Sequence, residues 1–139
     1  MSWRGAAVQT IYARLGSKQG MLLALIDVID EESGVRDAVE RIRHASTPEE
    51  AIEGEVRLTR GFQERCGDVI GSLFAAAAIE ADIVAAVAEA RRRHRLGARL
   101  AAKRAAATGR LRDCLAVDSA ASLVAITTSH EAWREPTVA

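Results

Sequence analysis

The sequence predicts an all-α protein, and three observations lead to that class. Apolar residues recur at the i, i+3, i+4 and i+7 spacing of amphipathic helices along almost the whole chain. Alanine is abundant, whereas the chain has only 2 prolines and 4% aromatic residues, a composition that favours helix. No segment shows the alternation of apolar and polar residues that is typical of strands. With 139 residues, 49% of them hydrophobic, we expect a helical bundle whose core is filled by Leu, Ile, Val and much Ala.

The first two amphipathic helices lie on either side of Gly34. Leu22, Leu25, Ile26 and Ile29 occupy one helical face, and Ser17 precedes this segment in the position of an N-cap. After Gly34 the same spacing returns in Val35, Ala38, Val39 and Ile42. We therefore predict a helix that begins at Ser17 and a second helix that follows Gly34.

Thr47-Pro48-Glu49-Glu50 predicts the start of the next helix. A Thr cap, a Pro at the first helical position and an acid at the third form a capping box. The helix carries Ile52, Val56 and Phe62, and Gly67 after Cys66 suits a left-handed stop. The apolar residues Val69, Ile70, Leu73, Phe74 and Ala77 would then form a separate stripe.

One long helix is predicted from residue 82 to residue 107, weakened at Gly97 and ended by Gly109. Asp118 is the predicted cap of a last full helix over residues 119–127. That segment is apolar on almost every side, which is typical of a helix buried against several neighbours.

Charge and cysteine usage predict a soluble, cytoplasmic protein. The 19 basic and 19 acidic residues balance, and no uncharged apolar stretch is long enough to span a membrane. The basic run over residues 91–95 is interpreted as the solvated side of the long helix. Cys66 and Cys114 lack the spacing of a zinc site and are expected to be reduced thiols. We expect no cofactor and no metal.

The segment Gly5-Ala6-Ala7-Val8-Gln9-Thr10-Ile11-Tyr12, followed by Leu15-Gly16-Ser17-Lys18, resembles the DNA-binding module of TetR-family transcriptional regulators. In that family a turn Gly precedes a short recognition helix containing T-I-Y, and F-G-S-K opens the next helix. Leu15 stands here in the place of the family's Phe. The resemblance implies a TetR-like all-α fold and operator DNA as the partner, with contacts from Gln9, Thr10, Tyr12 and Lys18.

This resemblance covers only part of the module. The family places a whole helix and most of another before the turn Gly, whereas only four residues precede Gly5 here. The C-terminal dimerisation region also ends early, at Pro136. We therefore expect a regulator shortened at both ends, with an incomplete helix-turn-helix and impaired DNA binding.

The resemblance divides the chain into two parts. Residues 1–32 would be the DNA-binding remnant with its connecting helix, and residues 35–139 the domain that binds a small-molecule effector and dimerises. Helices 82–107 and 119–127 would join two subunits in a homodimer. Arg57, Arg60, Phe62 and Phe74 are the candidate effector-binding residues, although exposed arginines and core phenylalanines explain the same pattern.

Two alternatives to the regulator hypothesis remain. One is a helical dimerisation or interaction protein without DNA-binding activity. The other is an enzyme, which the sequence disfavours because His44, His94 and His130 are scattered and no nucleophile motif is visible.

Overall fold

The computed structural model describes residues 16–134, and in this range it contains helices and no strands. The predicted all-α class is therefore confirmed. Of the predicted DNA-contacting residues, Gln9, Thr10 and Tyr12 lie outside the described range. None of the described helices is long and apolar enough to cross a membrane. The helices are α1 (Lys18–Glu32), α2 (Val35–Arg43), α3 (Pro48–Ala77), α4 (Ala81–Thr108), α5 (Val117–Thr127) and the short α6 (His130–Arg134).

The first three helices begin where the sequence predicts. The Ser17 hydroxyl accepts a hydrogen bond from the backbone N–H of Gly20, at 3.0 Å, and caps α1. Gly34 turns the chain between α1 and α2 with a φ of +71°, in the left-handed region that favours glycine. At α3 the Thr47 hydroxyl accepts from the N–H of Glu50, at 3.2 Å. The Glu50 carboxylate bonds the N–H of Ser46 rather than that of Thr47, so the capping box closes one residue earlier than predicted.

The predicted stop at Gly67 is wrong, because α3 runs without interruption to Ala77. A glycine inside a helix costs only about 1 kcal/mol, and tertiary packing offsets a penalty of this size. Here the apolar side chains of Ile70, Leu73 and Phe74, beyond the glycine, face the interior of the bundle together with Phe62.

The predicted cap at Asp118 is also wrong. Helix α5 begins at Val117 after Ala116, whose side chain makes no capping hydrogen bond. Asp118 lies in the first turn, where an acid interacts favourably with the helix dipole. Its carboxylate forms an ion pair with the Arg99 guanidinium of α4, with 2.9 Å between the two groups, so the acid joins two helices instead of capping one.

Helices α3 and α4 are antiparallel neighbours whose contact is built from alanine. Pro48 at the start of α3 lies against Gly109 at the end of α4, where a Cβ atom would approach the proline ring to 2.6 Å. Small side chains fill the space between the helices and towards α5, so the backbones approach closely. The fully buried alanines of these two helices are Ala51, Ala86, Ala98, Ala101, Ala102 and Ala105.

Helix α1 is tied to α4 by the side chain of Arg93. Its guanidinium lies 2.7 Å from carboxylate oxygens of both Asp27 and Asp30 on α1. It also donates to Glu89, one turn earlier on α4, at 2.8 Å. Three carboxylates thus surround one cation, and the wall that α1 contributes to the bundle is fixed by this contact.

Helix α5 is buried on one side only, whereas its apolar sequence predicted burial against several neighbours. Ala120 and Ala121 pack against Ala102 of α4. Leu123 and Ile126 are 55% and 66% exposed. An apolar face of α5 is therefore in contact with solvent.

Two glycines of α3 give a matched test of this packing. A Cβ atom at Gly54 would lie 2.7 Å from Cγ1 of the fully buried Ile42, whereas one at Gly61 meets nothing within 4 Å. We expect Gly61→Ala to raise the free energy of unfolding by about 0.5–1 kcal/mol through helix propensity. Gly54→Ala should lower it by about 1–3 kcal/mol through overpacking. Urea unfolding of both variants measures the difference, and a stabilising Gly54→Ala would contradict the contact between α2 and α3.

Candidate functional site: an apolar cavity with a buried carboxyl

An apolar cavity of about 500 Å³ lies inside the bundle. Its walls come from α1 to α4 and from residues 128–131 at the start of α6. The volume is within the range of small-molecule sites, which are mostly apolar with a few placed polar groups. The apolar lining consists of Ile26, Ile29, Val35, Val39, Leu58, Phe62, Ile70, Leu73, Phe74, Val87, Leu96 and Leu100.

Glu55 of α3 places a carboxyl group at the most enclosed part of this cavity. The residue is 1% exposed, and its Oε2 atom has no hydrogen-bond partner among the described residues. Gly97 of α4 faces it: a Cβ atom there would lie 3.0 Å from both carboxyl oxygens. The missing side chain at Gly97 therefore makes room for the carboxyl group between the two helices.

Burial raises the pKa of Glu55 from its ordinary 4.5 to about 7. The cause is desolvation, which disfavours the charged form of an acid. Near neutral pH this carboxyl group therefore exists in both its protonated and its ionised form. Such a group is able to donate or accept a hydrogen bond, depending on what enters the cavity.

A second polar group of side chains lies at a more exposed part of the cavity wall. Arg91 donates to Glu131 at 2.5 Å, and its guanidinium carbon lies 4.5 Å from the centroid of the Phe74 ring. His130 meets the same ring edge-on, with 5.2 Å between centroids, and its Nδ1 atom lies 2.8 Å from Oε1 of Gln63. Helices α3, α4 and α6 are thereby joined at this side of the cavity.

His94 of α4 is hydrogen-bonded to Thr128, the residue that follows α5. Its Nε2 atom lies 2.9 Å from the Thr128 hydroxyl, which itself lies 2.6 Å from the carbonyl oxygen of Val124. Because the hydroxyl has one proton and donates it to that carbonyl, Nε2 of His94 carries the donated N–H. Burial lowers the pKa of His94, and the pKa of His130 is lowered by burial as well.

The four predicted effector-binding residues divide into two pairs. Phe62 and Phe74 line the cavity. Arg57 and Arg60 are exposed on the outside of α3. Arg57 pairs with Glu53 of the previous turn at 2.6 Å, and Arg60 pairs with Glu64 of the next turn at 2.7 Å. The two arginines are therefore not part of the cavity lining.

Lys18 is the predicted DNA-contacting residue that the structure describes. It is the first residue of α1, directly after the Ser17 cap, and its ammonium group pairs with Glu80 in the turn before α4. A role in binding DNA remains a prediction for this residue.

Three polar residues of the cavity, Glu55, His94 and His130, were not predicted from the sequence as site residues. Glu55 had a usable signal, because Ala51, Leu58 and Phe62 share its helical face and mark it as a carboxyl group on an apolar stripe. His94 and His130 had none, since they come from different helices. Arg91 and Arg93 also line the cavity, so the basic run is not only the solvated side of the helix.

Residues 16–134 contain no group of three or more His, Cys, Asp or Glu side chains that could hold a metal ion. Cys66 and Cys114 are unpaired thiols. Comparisons of the chain with protein-family models, with curated proteins and with solved structures find no match.

The raised pKa of Glu55 makes stability depend on pH in a defined direction. A carboxyl group that holds its proton more tightly when folded contributes fully below about pH 4.5, and this contribution is lost as the pH rises to about 7. Glu55→Gln removes the titration. From pH 4 to pH 8, we expect the free energy of unfolding of this variant to gain about 3 kcal/mol relative to the unmodified protein, since one pKa unit corresponds to about 1.4 kcal/mol.

Urea unfolding at both pH values measures this gain, and Glu53→Gln is the control. Glu53 is an exposed acid on the same helix, and exposed ion pairs contribute only about 0–1 kcal/mol. Equal pH dependence of the Glu55→Gln variant and the unmodified protein would show that Glu55 ionises normally.

Proposed function

We propose that this chain is a TetR-like transcriptional regulator whose helical domain binds a small, mostly apolar effector. The observation that carries the effector half of the proposal is the cavity of about 500 Å³ with its apolar lining and few polar groups. The DNA half rests on the resemblance of residues 5–18 to the family's recognition helix and its following corner.

The position of α1 supports a coupling between the two halves. Ile26, Ile29 and Asp30 of α1 line the cavity, and the same helix begins at Lys18 directly after the segment that carries the resemblance. An effector in the cavity would touch α1 itself. It would favour one position of this helix by at most its difference in affinity for the two states. The change in operator affinity on effector binding would equal the change in effector affinity on operator binding.

A cavity-filling substitution tests the effector half. Ala90 lines the cavity on α4, whereas Ala88 of the same helix is exposed. We expect Ala90→Trp to abolish ligand binding and Ala88→Trp to leave it intact, because only the first indole occupies the ligand's volume. In a thermal-shift screen of apolar and aromatic compounds, a ligand at a hundred times its dissociation constant adds about 2.7 kcal/mol of stability.

Circular dichroism of both variants checks that each is folded, and Val87→Phe fills the same cavity from a second position. Hits that bind the Ala90→Trp variant as tightly as the unmodified protein would place the ligand elsewhere. A screen without hits would count against a small-molecule function.

Titration of DNA from the region upstream of the gene tests the regulator half, for which we expect weak binding that requires high protein concentrations. We expect Lys18→Ala to weaken binding on every sequence and to reduce the dependence on salt by about one phosphate contact. Gln9→Ala and Thr10→Ala should instead reduce discrimination between sequences, because these side chains are the proposed base contacts. Fluorescence anisotropy at several salt concentrations measures both effects, and identical salt dependence for the Lys18→Ala variant would contradict its proposed role.

The second candidate function is a helical dimerisation or interaction protein without DNA-binding activity. The observation that favours it is the exposed apolar face of α5, with Leu123 and Ile126. We propose that this face joins two copies of the chain, which is also compatible with a regulator.

Sedimentation of the double variant Leu123→Glu, Ile126→Glu tests this interface. We expect the unmodified chain to dimerise with rising concentration and the double variant to remain monomeric, since charges on this face would be buried without partners. Val28→Glu, at an exposed valine of α1, is the control. If the unmodified chain remains monomeric at high micromolar concentration, the proposed interface between two copies does not exist.

A further inference from the structure

The unpartnered carboxyl oxygen of Glu55 indicates what chemistry the ligand carries. Buried polar atoms in folded proteins are almost always hydrogen-bonded, and leaving one without a partner destabilises the fold. Oε2 of Glu55 is buried and lacks a partner among the described residues, and Glu55 is one of the residues that line a cavity wide enough for a ligand. A ligand with a donor group at this point would remove the penalty.

The cations that line the cavity are already engaged by other carboxylates. Arg93 contacts Asp27, Asp30 and Glu89. Arg91 pairs with Glu131, and Arg43 pairs with Glu40 at 3.0 Å. Glu55 is thus the acid of the cavity wall for which the described part of the chain supplies no cation.

We propose that the cavity binds a lipophilic amine, with the ammonium group of the ligand against the Glu55 carboxylate and its apolar body along Leu58, Phe62 and Leu96. This assignment rests on the proposed function, because it presupposes that a small molecule occupies the cavity. The assignment specifies that the ligand is positively charged and that Glu55 is the residue that recognises it.

A cation suits this position better than a neutral or an anionic group. A hydrogen bond between an ammonium group and a carboxylate is roughly twice as strong as a neutral one. An alcohol would satisfy the oxygen without this gain. A carboxylate ligand would place a second negative charge beside Glu55, and the low dielectric of the site increases that repulsion.

Binding of an ammonium ion would release a proton from the protein below neutral pH. With a pKa of about 7, Glu55 must lose its proton to the solvent before it pairs with the cation. The affinity should therefore be constant well above pH 7 and should fall about tenfold per pH unit well below it. The other titratable or charged groups that face the cavity are Asp30 of α1, Arg43 of α2, Arg91, Arg93 and His94 of α4, and His130 and Glu131 of α6.

The histidines in this set act in the same direction, because protonating them at low pH also opposes a cation. Glu55→Gln separates the two causes. The variant keeps His94 and His130 but removes the carboxyl group, so any pH dependence that survives in it belongs to the histidines.

Calorimetric titration with three matched probes tests the proposal on the full chain. The probes are 4-phenylbutylamine, 4-phenylbutan-1-ol and 4-phenylbutanoate, which share their apolar part. At pH 8 we expect the amine to bind at least about tenfold more tightly than the alcohol, and the acid to bind most weakly. At pH 5.5 the amine should lose about thirtyfold in affinity, while the alcohol should change little.

Two variants and the number of protons released on binding show whether Glu55 recognises the amine. Glu55→Gln should remove the preference for the amine, and Glu53→Gln should keep it. Titrations of the unmodified protein in buffers of different ionisation enthalpy should show release of nearly one proton per bound amine at pH 6. If Glu55→Gln fails to fold, the same count on the variants His94→Gln and His130→Gln separates the proton of Glu55 from those of the histidines.

Each outcome decides the proposal. An alcohol that binds as tightly as the amine, or an amine that binds without proton release at pH 6, overturns the assignment of Glu55 while the cavity remains a small-molecule site. Absence of binding for all three probes overturns both the assignment and the proposed effector function.

Discussion

Contacts between small side chains on α3 and α4 determine the shape of the whole bundle. Ala51 and Ala105 meet at one end of the helix pair together with Ala45, and Ala102 meets α5 through Ala120 and Ala121. Alanine allows helices to approach closely but fills little volume. The larger apolar residues therefore face a common interior that they do not fill, and the cavity of about 500 Å³ is the consequence.

The charged groups of the same interior differ in whether they have partners of opposite charge. Arg93 is surrounded by three carboxylates and connects α1 to α4. Glu55, on the opposite helix, is buried and has no such partner among residues 16–134. Burying a carboxyl group alone destabilises a protein, and Gly97 removes the side chain that would otherwise occupy its place. A carboxyl group kept in an apolar cavity at this cost is a group that a ligand can use, since perturbed acids concentrate at functional sites.

The sequence predicted those parts of the fold that depend on local chemistry. The Ser17 and Thr47 caps, the turn at Gly34 and the end of the long helix near Gly109 follow from short-range rules. Predictions from local signals failed where contacts with distant residues determine the structure. At Gly67 packing along the rest of α3 overrides the local stop signal, and Asp118 pairs with Arg99 instead of capping a helix.

The candidate site was predictable only in part, for the same reason. Phe62 and Phe74 follow from the apolar stripe of α3, and Glu55 lies on that stripe as well. The convergence of His94 with α5 and of His130 with Gln63 joins residues 34 and 67 positions apart. Helical periodicity carries no information about such pairs, because it describes one helix at a time.

The titration of the Glu55 side chain tests directly whether its carboxyl group is buried without a partner. A carbon-13 NMR titration of the glutamate carboxyl carbons, assigned with the Glu55→Gln variant, measures its pKa in the native protein. We expect a midpoint at about pH 7 for the ligand-free chain. A midpoint near the ordinary value of 4.5 would show a solvated or paired carboxyl group and would contradict the central claim.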